Sequence, residues 1–242
     1  MRVFDMIVDE RHRAADLLAG LTPEQWRQPT LCDAWTVHEI GAHLISYLRF
    51  GRTKLYLGLA TTLADLDLIN LRLTRREARR SPDRIVELLR AGARSRISIP
   101  RSGFDPVLTD LVLHDLDIRR PLGIARPIPE DRLWVAFGHL TASPSPGFTM
   151  GARLAGLRIE AADTGWAHGS GALVRGDAEA VVLAVSGRAV AFDELEGDGV
   201  AVLRDRVLFR GTARPARRLM TIANVLLHPP PPERRSLEAT GP

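Results

Sequence analysis

Cysteine is almost absent from this sequence of 242 residues, and long hydrophobic runs are missing. The single Cys32 excludes an internal disulfide and any zinc site built from several cysteines. No run of about 18 apolar residues occurs, so the sequence predicts no membrane span. The first residues carry charges throughout and lack the apolar stretch of a signal peptide, and we therefore expect a cytoplasmic protein.

Lysine is also nearly missing, because Lys54 is the one lysine and arginine supplies the other basic side chains. The formal net charge is +4, and the basic residues are interleaved with acidic ones instead of forming one patch. A basic nucleic-acid binder is therefore an alternative that the composition does not require. We expect small-molecule partners, no nucleic acid, no membrane, and a monomer or homodimer.

Helical patterns dominate residues 1–142. Thr22 and Thr36 each precede a helical pattern and are followed three residues later by Gln25 and Glu39, which is the spacing of a capping box. Further helices begin at Ser81 and near residue 105. Long helices are predicted at 3–20, from 36 to about 75, from 81, and at 105–120. They predict a four-helix bundle.

The composition and hydrophobic pattern of the sequence change after residue 142. The stretch SPSPG at 143–147 predicts a linker, and LAGLRIEAAD and GALVRG predict strands joined by the turn-rich TGWAHGSG. Two short helical patterns follow. We therefore predict an α+β protein with a small α/β domain at 148–210, and a poorly ordered, proline-rich tail at 211–242.

One predicted helix is apolar in almost every direction but carries Asp110, His114 and Asp117 in one narrow arc. Asp110 and His114 are four residues apart, so both side chains can bind one metal ion. His43, at the edge of the apolar face of another helix, is the candidate third ligand. Three protein ligands leave a fourth position for water or substrate, as in catalytic zinc sites.

Several alternatives remain at this point. The Asp110–His114 spacing also allows a simple hydrogen bond within a core, and Asp117 either orients a ligand histidine or pairs with Arg119 or Arg120. Cys32 is interpreted as a structural thiol, and His38 as a solvated side chain. A basic run is either a solvated helix face or partly lines a cleft for anionic substrates: Arg72, Arg75, Arg76, Arg79 and Arg80.

The order of several motifs resembles the mycothiol-dependent maleylpyruvate isomerase family, a branch of the DinB-like metalloproteins. These motifs are LTPEQW, TLCDAWTVHEIGAHL, RIVELLR and TDLVLHDLDIRRPLG. The later stretch from LRIEAAD to DGVAVL is similar to the C-terminal domain of that family. The resemblance implies a DinB-like four-helix bundle that holds one divalent metal ion, usually zinc, through His43, Asp110 and His114.

The resemblance also implies an activity. Mycothiol, the small thiol of actinobacteria, would serve as cofactor or co-substrate, and its metal-activated thiolate would add to a small electrophile. Addition followed by bond rotation and elimination gives isomerisation, whereas a leaving group or epoxide gives S-transfer. Asp110 stands where we expect glutamate in the isomerase, which puts the isomerase substrate in doubt. A non-catalytic regulatory module that binds a metal or a thiol is the alternative.

Overall fold

The computed structural model describes residues 2–32, 35–49, 66–98, 103–142 and 153–208. The predicted linker at 143–147 and the predicted tail at 211–242 lie outside these ranges. The same holds for residues 50–65, in the middle of the helix predicted from 36 to about 75.

The described residues form helices, followed by a small sheet and then helices again. The N-terminal helices are α1 (Val3–Ala19), α2 (Pro23–Trp26), α3 (Val37–Ser46), α4 (Leu66–Glu77), α5 (Pro82–Ala91), α6 (Asp105–Arg119) and α7 (Glu130–Thr141). The C-terminal elements are β1 (Leu157–Ala161), β2 (Trp166–Gly169), β3 (Ala172–Gly176), α8 (Ala178–Ser186) and α9 (Gly199–Leu208). Short 3₁₀ helices lie at Tyr47–Arg49 and Ala189–Glu194.

Four of these helices form the bundle that the sequence predicts. Helix α1 packs against α5 and α6, and α3 also packs against both α5 and α6, so the four helices close a ring. Helix α4 lies on α3, and α7 lies on the outside of α6. Because α6 has neighbours on both sides, residues 111–119 are all buried, which explains why its sequence is apolar in almost every direction.

Capping boxes fix the starts of α2 and α3, as predicted. At α3 the Thr36 hydroxyl accepts a hydrogen bond from the Glu39 backbone N–H, and the Glu39 carboxylate accepts one from the Thr36 backbone N–H at 2.8 Å. These bonds satisfy donors that the first helical turn leaves free. The start of α3 matters because this helix carries His43.

Removing the α3 cap is expected to cost measurable stability. In Thr36→Ala the Glu39 N–H loses its acceptor, and we expect the free energy of unfolding to fall by about 1 kcal/mol. Urea denaturation followed by circular dichroism measures the change. Thr36→Ser keeps the hydroxyl and serves as the control, and equal losses in the two variants would contradict the capping role.

The small sheet has the strand order β2-β1-β3, with β1 antiparallel to β2 and parallel to β3. The segment TGWAHGSG, predicted as a turn, contains strand β2, so that prediction was wrong. Its alanine and glycine residues have low strand propensity. The strand forms because its backbone pairs with β1, with Ile159 opposite His168.

The C-terminal elements pack directly on the bundle. Helix α8 contacts α6 and α7, and one hydrophobic core includes residues from both parts of the chain. Ion pairs also join the C-terminal end of α6 to this part, among them Arg119 with Glu179, and Arg120, the residue after α6, with Glu194 at 2.6 Å. Among the described residues, no helix is both long enough and apolar enough to cross a membrane.

Candidate metal centre

His43, Asp110 and His114 converge at the contact between α3 and α6. The His43 Nε2 atom lies 3.4 Å from Asp110 Oδ2, and the His114 Nε2 atom lies 3.4 Å from Asp110 Oδ1. The potential ligand atoms of all three residues lie within 4.8 Å of one another. The structure therefore brings together the three residues that the helix geometry selected.

The two nitrogen–oxygen spacings, each to a different oxygen of Asp110, are close to those between the ligands of a small divalent cation. Ligand atoms about 2.0–2.2 Å from a tetrahedral ion are separated by about 3.3–3.6 Å, close to the two 3.4 Å distances. The side chains of His43 and His114 are 3% and 5% exposed, whereas that of Asp110 is 19% exposed. Asp110 is therefore the most exposed of the three side chains, and we expect a fourth ligand to enter on its side.

The electrostatics of the cluster favour positive charge. Burial alone would raise the pKa of Asp110, but the neighbouring imidazoles of His114 and His43 hold it far below its usual value. Burial would likewise lower the pKa of His114, but the carboxylates of Asp110 and Asp117 raise it. A divalent cation would supply the positive charge that makes a buried carboxylate tolerable.

Asp117 fixes the orientation of the His114 ring. Burial alone would raise the pKa of Asp117, but hydrogen bonds from His114 and Arg188 lower it, and the ionised carboxylate can only accept hydrogen bonds. The His114 Nδ1 atom, 3.0 Å from Asp117 Oδ2, therefore donates its proton. With Nδ1 as the donor to Asp117, Nε2 is the nitrogen that would bind a metal ion in exchange for its proton.

Aromatic rings and a hydroxyl surround the two histidines. The Trp35 ring packs 4.7 Å from the His43 ring and 5.9 Å from the His114 ring, measured between centroids. Tyr47 meets His43 edge-on at 5.5 Å, and the Thr74 hydroxyl lies 3.5 Å from His43 Nδ1. These contacts limit the rotation of both rings and hold the Nε2 atoms toward Asp110.

Asp117 pairs with a residue that neither alternative named. Both of its oxygens accept hydrogen bonds from the Arg188 guanidinium, at 3.0 Å and 2.7 Å. Arg119 instead bonds Asp115 and Glu179, and Arg120 bonds Glu194. Asp117 thus both contacts a candidate ligand and forms an ion pair, but the partner comes from the C-terminal part of the chain.

Other candidates lie away from the cluster or in different surroundings than expected. Most of the basic run is exposed: Arg72, Arg75 and Arg76 lie on α4 and Arg79 lies in the turn after it, while Arg80 pairs with Glu77 at 2.6 Å. His38 is half-buried, with its Nε2 atom 2.9 Å from the Ala78 carbonyl, so the expectation of a solvated side chain was wrong. Cys32 is half-buried and packs against the core.

Sequence reasoning missed Trp35, Thr74 and Arg188. Trp35 lies within the motif TLCDAWTVHEIGAHL, but the motif does not indicate that its ring contacts those of His43 and His114. Thr74 and Arg188 come from segments distant in sequence, and 71 residues separate Arg188 from Asp117. No local pattern signals such a pair.

Comparisons with known proteins agree with the resemblance. Residues 7–102 match the family model described as the mycothiol maleylpyruvate isomerase N-terminal domain. This segment includes His43, whereas Asp110 and His114 follow it. No curated protein matches the sequence.

Two solved structures are similar in fold. One is the mycothiol-dependent maleylpyruvate isomerase, with 15% identity, 82% of this chain and 96% of that chain covered, and a TM-score of 0.51. The other is a histidine-to-alanine mutant of the mycothiol-dependent maleylpyruvate isomerase, with the same identity and coverage and a TM-score of 0.50. At 15% sequence identity, the similarity to these structures shows a shared fold and nothing beyond it. Residues 7–102 thus match the N-terminal domain model of the mycothiol maleylpyruvate isomerase family, and the chain has an α+β fold similar to that of these structures.

Proposed function

We propose that this protein is a metal-dependent enzyme that activates the thiol of mycothiol for addition to a small electrophile. His43, Asp110 and His114 are the proposed ligands, and zinc is the proposed metal ion. The observation that carries the proposal is the convergence of two imidazole nitrogens and one carboxylate within 4.8 Å. Two nitrogens and one oxygen with an open position are a donor set typical of catalytic zinc.

The bound metal ion would lower the pKa of a thiol at the open position, so that the thiolate is available near neutral pH. His43 and His114 would hold the ion through their Nε2 atoms. Asp117 keeps the proton on His114 Nδ1, and the Trp35 ring packs against both imidazole rings. We expect access from solvent on the side of Asp110.

We propose mycothiol as the thiol because of the family match. Two classes of electrophile are considered, and each leads to a different reaction. If the electrophile has a conjugated cis double bond, as in maleylpyruvate, thiolate addition, rotation about the resulting single bond and elimination release the trans isomer and the thiol. If it has a leaving group, the sulfur displaces that group and a thioether forms. Asp110 stands where we expect the longer glutamate in the isomerase. Because this difference puts the isomerase substrate in doubt, the proposal includes both reaction types.

The test is a rate measurement with the zinc-loaded protein, mycothiol and one electrophile of each type, maleylpyruvate and an alkyl halide. We expect accelerated conversion of at least one, loss of the acceleration after chelation, and recovery when zinc is restored. The concentration of free mycothiol distinguishes the two reaction types, because isomerisation regenerates the thiol whereas S-transfer consumes it.

Zinc binding without acceleration of either reaction would contradict the enzymatic proposal. That result would favour a regulatory module that keeps the same bundle and binds a metal or a thiol without catalysis.

A further inference from the structure

The pairing of Asp117 with Arg188 joins the candidate metal centre to the C-terminal part of the chain. Asp117 is fully buried, and the Arg188 side chain is 11% exposed. The guanidinium contacts both carboxylate oxygens, Nε to Oδ1 at 3.0 Å and Nη2 to Oδ2 at 2.7 Å. Such a two-bond contact fixes the plane of the carboxylate as well as its position.

Asp117 connects Arg188 to the candidate metal ligand His114. The Oδ2 atom that accepts from Arg188 Nη2 also accepts from His114 Nδ1 at 3.0 Å. The orientation of the His114 ring therefore depends on a carboxylate whose own orientation is held by Arg188. Such partners of a metal-binding histidine fix its tautomer and ring direction.

The local backbone places Arg188 with little freedom. Helix α8 ends at Ser186 and is capped by Gly187, which has a φ of 100°, a left-handed conformation that favours glycine. The Arg188 N–H then donates to the Leu183 carbonyl at 3.0 Å. Arg188 thus starts its side chain from a fixed point at the end of α8, a helix that packs on α6.

We propose that Arg188 is a positioning residue that sets the His114 ring through Asp117, so that full metal affinity requires the C-terminal part of the chain docked on the bundle. The proposal rests on the proposed metal site. It assigns the C-terminal part a role in completing a site whose three candidate ligands all lie in the bundle.

The matched variants are Arg188→Gln, Arg188→Lys and Glu194→Gln. Glu194→Gln removes a different ion pair between the C-terminal part and the bundle, that with Arg120 just after α6, and leaves Asp117 untouched. Arg188→Lys keeps the charge, but an ammonium group cannot reproduce the planar two-bond contact. Circular dichroism checks that each full-length variant is folded.

The first measurement is zinc affinity, determined by competition with a chromophoric chelator. We expect Arg188→Gln to bind zinc about 10- to 100-fold more weakly than the wild type, as for other residues that orient a metal ligand. Arg188→Lys should fall between the two, and Glu194→Gln should match the wild type.

The second measurement uses reciprocity, because a residue that couples docking to metal binding must also transmit the effect of the metal ion. Zinc should slow amide hydrogen exchange in residues 178–208 of the wild type and of Glu194→Gln. In Arg188→Gln the zinc-dependent slowing should be much smaller.

The zinc affinities of the variants and of the wild type distinguish a failure of this inference from a failure of the proposed function. Equal zinc affinity in Arg188→Gln and the wild type would overturn the inference and leave the metal site standing. Equal weakening in Arg188→Gln and Glu194→Gln would also overturn it, because general docking and not the Asp117 contact would then be responsible. A wild-type protein that binds no zinc would overturn the proposed function and this inference together.

Discussion

Replacing either candidate ligand histidine with alanine is expected to abolish zinc binding and every activity that depends on it. In His43→Ala or His114→Ala, two protein ligands would remain of the three that converge on one point. Loss of a residue that merely orients a ligand typically costs 10- to 100-fold in metal affinity, so loss of a ligand should cost more than about 100-fold. Elemental analysis of the purified variants measures the metal content.

A matched control for His43→Ala is available on the same helix. His38 lies one and a half turns before His43 on α3 and interacts with Trp26 and Ala78 instead of the cluster. We expect His38→Ala to lose some stability but to retain the zinc content of the wild type. Equal zinc content in His43→Ala and His38→Ala would exclude His43 as a ligand.

Among the single substitutions considered, Asp117→Ala is expected to lower the free energy of unfolding the most. The substitution removes a fully buried carboxylate and leaves the Arg188 guanidinium, only 11% exposed, without its ion-pair partner. Breaking a buried ion pair by removing one partner typically costs about 3–5 kcal/mol, because the remaining charge stays buried and uncompensated. Chemical denaturation of the metal-free protein measures this cost without a contribution from zinc.

Two further variants identify the cause of that loss. Asp117→Ala combined with Arg188→Ala removes the stranded charge, so the double variant should lose clearly less than the sum of the single losses. Glu194→Gln breaks a more exposed pair and should cost at most about 1 kcal/mol. A loss below about 1 kcal/mol in Asp117→Ala would contradict the importance of the buried pair.

Much of the bundle can be predicted from the sequence because its signals are local. The capping boxes at Thr22 and Thr36 depend on residues three positions apart, and their reciprocal bonds are present in the structure. The helical spacing of Asp110 and His114 likewise depends on one turn of α6. The position of His43 at the edge of an apolar face was sufficient to select it as their partner.

Features that depend on tertiary contacts could not be predicted in the same way. Strand β2 forms in a segment of weak strand propensity because β1 supplies its hydrogen-bonding partner. Arg188 follows a short helix with nothing nearby to mark it, and it contacts Asp117 only because α8 packs on α6. The sequence therefore indicated the candidate ligands but not the residue that holds one of them in place.

The most direct test of the proposed function is zinc X-ray absorption spectroscopy of the zinc-loaded protein before and after addition of mycothiol. We expect nitrogen and oxygen ligands at about 2.0–2.2 Å before addition and a new sulfur ligand at about 2.3 Å afterwards. A wild-type spectrum that mycothiol leaves unchanged would contradict thiol activation at this site.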